Sequence, residues 1–328
     1  MNRRRFFKTV AIGTAGIALA PANAEAKGTN GSGDGATHAE SKAIGSIIDL
    51  TLCDGCADRQ RAACVSACRE KNSAKFPEPD PKFLIDYFPQ KKHEDWSSKR
   101  DGTSRLTPYN WTFVERVEVG GQTIFLPRRC MHCDDPACQK LCPFGTIGKS
   151  KEGAVSIDAN FCMGGSKCRD VCPWHIPQRQ AGVGIYTKIA PKLMGGGVMY
   201  KCDLCADLLA QNQTPVCAAQ CPKSAIVFGE KEAMKAEAKR RAEMIGGYTY
   251  GIDEGGGTAT FYVSKVPFEA IDKAISAAKG TDKAPGRPQM RVGVANPLRN
   301  AETLFAAALI APIAAVAGAA IAVYKGKQ

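Results

Sequence analysis

Cys130-Met131-His132-Cys133-Asp134-Asp135-Pro136-Ala137-Cys138-Gln139-Lys140-Leu141-Cys142-Pro143 puts four thiols into thirteen residues of a 328-residue chain. The stretch opens C-x2-C and closes C-x3-C, with a proline directly after. A tight loop over the first pair turns both thiols toward one centre. The C-x3-C step is about one helical turn, so it carries the last thiol away from that centre. Proline can end such a turn because it needs no N–H acceptor. Read outward, the pattern recurs with Cys53, Cys56, Cys64 and Cys68, with Cys162, Cys168 and Cys172, and with Cys202, Cys205, Cys217 and Cys221. The chain holds fifteen cysteines, and proline also follows Cys172 and Cys221.

Thiolates at this spacing are ligands for iron–sulfur clusters, where the fourth cysteine of a run serves the neighbouring cluster. Paired C-x2-C also builds tetrahedral zinc sites, so a zinc-stapled periplasmic scaffold is the alternative of a different class. Elemental analysis separates the two. A disulfide framework is disfavoured by the odd count, the chain length and the tight local spacing.

Groups two to four resemble the four-cluster polyferredoxin subunits of dimethyl sulfoxide reductase, nitrate reductase, respiratory formate dehydrogenase and hydrogenase-2-type uptake hydrogenases. The runs that carry the likeness are Arg129 to Cys133, Cys172-Pro173-Trp174-His175-Ile176-Pro177, Lys201 to Cys205, and Cys217 to Pro222. The layout is most similar to the membrane-anchored hydrogenase-2-type subunit. The resemblance implies an α+β fold of two pseudo-symmetric ferredoxin-like halves, groups one and four pairing, and two and three. It also implies ligand sets. Cys53, Cys56, Cys64 and Cys221 would hold one 4Fe-4S cluster. Cys202, Cys205, Cys217 and Cys68 would hold a second, and Cys130, Cys133, Cys138 and Cys172 a third. The last set is Cys162, Cys168 and Cys142, with Gly165 where the family has a cysteine. Glycine offers no ligand, so a 3Fe-4S cluster is expected there, with a fourth 4Fe-4S cluster as the alternative. Group one departs by seven residues between Cys56 and Cys64, and by Arg69 in place of the proline. Asp58 to Arg61 reads as an exposed excursion.

The N-terminus, Asn2-Arg3-Arg4-Arg5-Phe6-Phe7-Lys8 followed by an apolar run and two A-x-A sites, has the layout of an export signal. The arginines resemble a twin-arginine address, which passes folded proteins. That suits clusters inserted in a reducing cytoplasm. Leu304 to Tyr324 lacks charge and is long enough to span about 30 Å of hydrocarbon as a helix. Lys325 and Lys327 follow it, matching the positive-inside bias. The expected organisation is a signal over 1–26, a linker over 27–44, a four-cluster domain over 45–270, a helix and tether over 271–303, a transmembrane helix over 304–324 and a cytoplasmic tail over 325–328.

The chain carries 44 basic and 32 acidic residues, a net +12. Cleavage after Ala24 removes Arg3, Arg4, Arg5 and Lys8 and no acidic residue, leaving +8. The negative charge of cluster-bound thiolates offsets that excess, and no basic–aromatic pattern of nucleic-acid readers occurs. No G-x-S-x-G, P-loop or dinucleotide motif occurs either, and Gly195-Gly196-Gly197 lacks a nucleotide-site context. The chain therefore reads as an electron-transfer subunit without a substrate site. It would lie on the periplasmic side of the bacterial inner membrane, between an exported catalytic subunit of hydrogenase or molybdopterin type and an integral quinone-interacting subunit, in some complexes a cytochrome. A formate dehydrogenase β subunit is the runner-up. Strands are expected at Ala154–Ile157, Ala225–Phe228 and Thr258–Val263, and a helix at Glu230–Ile245 with Glu237 and Arg241 paired. Residues 73–112 read as a loop insertion lying on a partner. His132 and His175 read as structural, and Lys201 as a solvated lysine.

Overall fold

Three helices of ten residues or more and ten strands frame the cysteine groups in the computed structural model, which describes residues 43–87, 91–194 and 196–299. The expected signal, most of the linker, the 304–324 span and the tail lie outside the described residues. Among the described residues no helix is long and apolar enough to cross a membrane.

The sheet that organises the molecule is built around strand β1 (Ile44–Asp49). It pairs antiparallel with β8 (Ile226–Glu230) and parallel with β10 (Thr260–Ser264), which in turn pairs with β9 (Tyr248–Tyr250). Successive side chains of a strand point to opposite faces. Ile47, Phe261 and Val263 accordingly meet Ala238 and Ala242 of the helix Lys231–Met244 on one face. Ile48 and Tyr262 face the cysteine-bearing core. The expected Glu237–Arg241 pair forms at 2.8 Å, and Arg241 also reaches Asp49 at 3.3 Å. The helix Phe268–Lys279 buries Phe268, Ile271 and Ile275, an i, i+3, i+7 stripe, against the same core. Each such side chain contributes about 1.5–3 kcal/mol.

The sequence reading did not anticipate the hairpin of β2 (Phe113–Val119) and β3 (Gln122–Arg128). Its two-residue turn, Gly120-Gly121, has φ of +57° and +79°, the left-handed pair that matches the twist of the flanking strands. Nor are residues 73–112 simply a surface insertion. Leu106 to Phe113 is buried without interruption, with Trp111, Tyr109 and Asn110 inside. Two smaller hairpins, β4 (Ile147–Lys149) with β5 (Val155–Ile157) and β6 (Gln178–Gln180) with β7 (Val198–Tyr200), enclose a separate cluster around Cys162 and Cys168.

Candidate iron–sulfur relay

All fifteen cysteines are unpaired. Cys53, Cys56, Cys64 and Cys221 line one small cavity of about 20 Å³. Cys68, Cys202, Cys205 and Cys217 line another of about 10 Å³. Cys133 interacts electrostatically with Cys172, Cys130 and Cys138. Cys142, Cys162 and Cys168 line a far roomier cavity of about 310 Å³, together with Gly164, Gly165 and Met163. These sets are called here the first to fourth cages.

Local backbone explains how short sequence runs form the cages. Cys64 and Cys68 sit one turn apart on the helix Ala63–Asn72, the former in the first cage, the latter in the second. Cys217 and Cys221 reverse the exchange across the helical turn Val216–Ala219. In the C-x2-C loops, Gly55, Cys56, His132, Leu204 and Cys205 have positive φ. Left-handed residues in such loops turn successive N–H groups inward, the concave arrangement that receives anions and iron–sulfur clusters. Asp54 Oδ1 accepts from Cys56 N–H and Asp203 Oδ1 from Cys205 N–H, each at 2.9 Å, so the two C-D-x-C runs share one turn. Leu204 N–H points to Cys202 Sγ and Met199 N–H to Cys162 Sγ, both at 3.4 Å.

The departures of group one have causes. Residues 57–60 are exposed, as expected of the excursion. Arg69 stands where the other groups have proline because the helix continues to Asn72. Its guanidinium donates to the carbonyls of Tyr109 at 2.7 Å and Arg100 at 3.1 Å, tying the helix to the buried segment that follows.

Thiols of successive cages lie close enough to interact electrostatically. Cys64 of the first interacts with Cys217 of the second, Cys202 of the second with Cys130 of the third, and Cys168 of the fourth with Cys138 and Cys172 of the third. Burial pushes Cys53, Cys138, Cys202, Cys205 and Cys217 up to about 11 and Cys172 to about 12. Burial raises Cys64, Cys68, Cys133 and Cys168 further. Thiols this buried hold charge only against a counter-charge. Among the described residues no three His, Cys, Asp or Glu side chains converge as a single metal ion would require. Three of the sets line cavities.

Orphaned donors fit an iron–sulfur cluster. His132 is fully buried, and its Nδ1 accepts from Val155 N–H at 3.0 Å. Nε2 therefore carries the proton, and it has no protein partner. Burial, followed by Lys201 and Arg129, holds this imidazole well below the usual histidine range, so it is neutral. Arg129 Nε is likewise buried without a partner. A cluster sulfide is an acceptor for both. His175 is exposed, with Nδ1 3.1 Å from the Arg169 carbonyl, so its local structural role stands. Lys201 corrects the sequence reading. It is 5 % exposed, not solvated, because its ammonium is drawn inside by the carbonyls of Val155 and Cys202 and by surrounding thiols. Arg129, which sequence reasoning passed over, is 2 % exposed. The signal available was position: each cation directly precedes a C-x2-C run.

The glycines that lack a nucleotide context serve the fourth cage. A Cβ on Gly164 would lie 2.6 Å from Gly197 backbone atoms, and one on Gly197 would lie 1.8 Å from the Gln180 carbonyl. Arg179 secures the loop from the other side, donating to Gly164 O and Ser166 Oγ at 3.0 Å each.

Two models for a 4Fe-4S dicluster domain match this chain, over residues 52–146 and 121–231. A protein of Nitratidesulfovibrio vulgaris is 31 % identical over 87 % of this chain and 70 % of its own length. The hydrogenase-2 operon protein HybA of Escherichia coli O157:H7 is 28 % identical over 83 % of each chain. The iron–sulfur subunit of formate dehydrogenase-O from Escherichia coli K12 is 31 % identical over 65 % of this chain and 61 % of its own. The chain belongs to the polyferredoxin electron-transfer subunits. As such a polyferredoxin it binds iron–sulfur clusters of the 4Fe-4S type and serves an oxidoreductase complex as an electron carrier, not as its catalytic subunit.

Proposed function

We propose that the four cages hold four clusters and that this polyferredoxin relays electrons in the order of the cages. The interaction between thiols of successive cages is the observation that carries the reading. When bound, the clusters supply one-electron carriers, with potentials set by hydrogen bonds, charge and exposure. The chain supplies the thiol sets, the inward N–H groups, His132 as a neutral donor and two buried cations. The first three cages, each with four cysteines, take 4Fe-4S clusters. The fourth, with Cys142, Cys162 and Cys168, takes 3Fe-4S, because Gly165 gives no thiol and its corner opens to the surface.

The likeness to HybA over 83 % of both chains favours a hydrogenase-type catalytic partner. The shorter match to the formate dehydrogenase-O subunit supports a molybdopterin-type partner as the second reading. In either case the twin-arginine segment takes the folded subunit to the periplasm. Leu304 to Tyr324 anchors it beside an integral quinone-interacting subunit. Identification of the proteins that co-purify from solubilised membranes tests the partner: a nickel–iron subunit supports the first reading, and a molybdopterin subunit overturns it. Iron analysis with EPR of the oxidised protein tests the clusters. A three-iron signal at one per chain is expected, and its absence overturns the fourth-cage assignment.

A further inference from the structure

Among the described residues four lysine or arginine residues are buried: Arg128, Arg129, Arg179 and Lys201. Two of them face carboxylates. Arg128 lies 3.4 Å from Glu115, and Arg179 pairs with Glu94. Arg129 and Lys201 form no ion pair among the described residues, although burial without a counter-charge is strongly unfavourable. The Arg129 guanidinium donates to Ser46 Oγ and, at 3.4 Å, to the Cys130 carbonyl, and it lies 5.2 Å over the Phe228 ring. Lys201 Nζ donates to the carbonyls of Val155 and, at 3.0 Å, Cys202. None of these partners carries charge.

The negative charge must come from the cages. Arg129 lines the second cage with Cys68, Cys202, Cys205 and Cys217, and directly precedes Cys130 of the third. Lys201 directly precedes Cys202 of the second cage, and its ammonium donates to the Cys202 carbonyl at 3.0 Å and is attracted by Cys130 and Cys138 of the third. Both cations thus stand between the second cage and the third, where Cys202 and Cys130 interact. The end cages differ in sequence as well. Leu52 precedes Cys53 and Phe161 precedes Cys162, so no cation occupies the matching place.

We propose that Arg129 and Lys201 are the counter-charges of the second and third cages and make the middle of the relay easier to reduce than its ends would otherwise dictate. The inference rests on the reading that the cages hold clusters. A fixed positive charge stabilises the reduced, more negative form of each centre it faces, and a dry junction leaves that field little screened. Electrons entering from either end then dwell in the middle pair, which lets the subunit accept from one partner before the other is ready.

The test is an EPR-monitored redox titration of the full chain carrying its clusters. Each centre is assigned beforehand by serine substitution of one of its own cysteines (Cys56, Cys205, Cys133 or Cys168), and iron content is measured first. Missing iron in the parent protein would defeat the cluster reading itself; iron present with unaltered potentials in the variants would defeat only this inference. Arg129→Gln and Lys201→Gln should each disfavour reduction of the second and third centres about tenfold, which is 59 mV for one electron. The first and fourth should move much less, and Arg129→Lys and Lys201→Arg should restore the parent values. If the glutamine variants fail to assemble the middle centres while the charge-retaining variants succeed, the counter-charge role is supported. Equal shifts at all four centres, no shift at the middle pair, or failure of the charge-retaining variants as well would overturn it.

Discussion

The second cage and the fourth are made from the same parts and end up opposite in character. Both combine a loop thiol and a helical-turn thiol, Cys168 or Cys217, with one from another group. The second closes on about 10 Å³ behind four cysteines, with Asn72, Trp111 and Arg129 packed around it. The fourth opens into about 310 Å³ behind three, with Gly165 exposed at its mouth. Nor is the fourth loosely built. Gly164 and Gly197 are in backbone contact, Arg179 pins the loop, and Glu94 holds both Arg179 and Arg169. The difference is therefore one of ligand and access, not of order. A node with one corner left open inside a rigid loop can differ in nuclearity while the relay stays intact.

The comparison breaks most severely if the closed cage also loses a thiol. Cys217→Ala should abolish the second centre and interrupt the relay, lowering electron transfer through the subunit by about 100-fold or more, the upper end of what loss of a metal site's supporting residues costs. The readout is dye-linked turnover of the co-purified complex together with the missing EPR centre. Retained turnover would show that electrons bypass the second cage.

Gly165→Cys should erase the difference from the other side. The three atoms nearest a Cβ at 165 would be Met163 side-chain atoms at 3.7–3.8 Å, which is ordinary contact. The variant should fold, gain one iron per chain and lose the three-iron signal. An unchanged signal would mean that something other than the missing thiol keeps the corner open.

Glu94→Gln tests the rigidity of the open cage. It leaves Arg179, 1 % exposed at its side chain, and Arg169 without their carboxylate, at a cost of about 3 kcal/mol. Burial works against the charge of Glu94, but its hydrogen bond and attraction to Arg169, and then Arg179, hold its carboxyl below the ordinary value. A carboxyl lowered on folding contributes stability that is present above its unfolded value, near 4.3, and is lost as pH falls through the folded one. Denaturant midpoints followed by cluster absorbance should therefore show the parent losing stability below about pH 4. The variant should lack that part of the slope. Identical acid slopes would remove Glu94 from the account.

The smallest effect is expected on the closed side. Arg69→Ala removes two charge-assisted hydrogen bonds to the Tyr109 and Arg100 carbonyls and should destabilise by about 2 kcal/mol without changing any centre. A changed EPR spectrum would mean that Arg69 shapes the second cage directly.

Legibility along the chain followed the range of the interactions involved. The iron–sulfur chemistry could be read because the C-x2-C and C-x3-C pairs are short-range, as at Cys130 and Cys133 or Cys64 and Cys68. The Glu237–Arg241 pair and the strand near Thr258–Val263 were legible for the same reason. The β2–β3 hairpin was missed although Gly120-Gly121 between alternating residues is a turn signal. Its apolar face joins a core that includes residues far away in sequence, Ile271 and Ile48 among them. Residues 106–113 were misjudged because their proline- and charge-rich flank outweighed Trp111 and Tyr109.

The amino-acid sequence by itself determined the kind of chemistry, four groups of soft ligands with one thiol absent at Gly165, because ligand identity and short-range spacing are covalent facts. Only the tertiary structure decided the order of the cages, the openness of the fourth and the burial of Arg129 and Lys201. Those depend on which distant surfaces exclude water from which charges, and no local spacing encodes that.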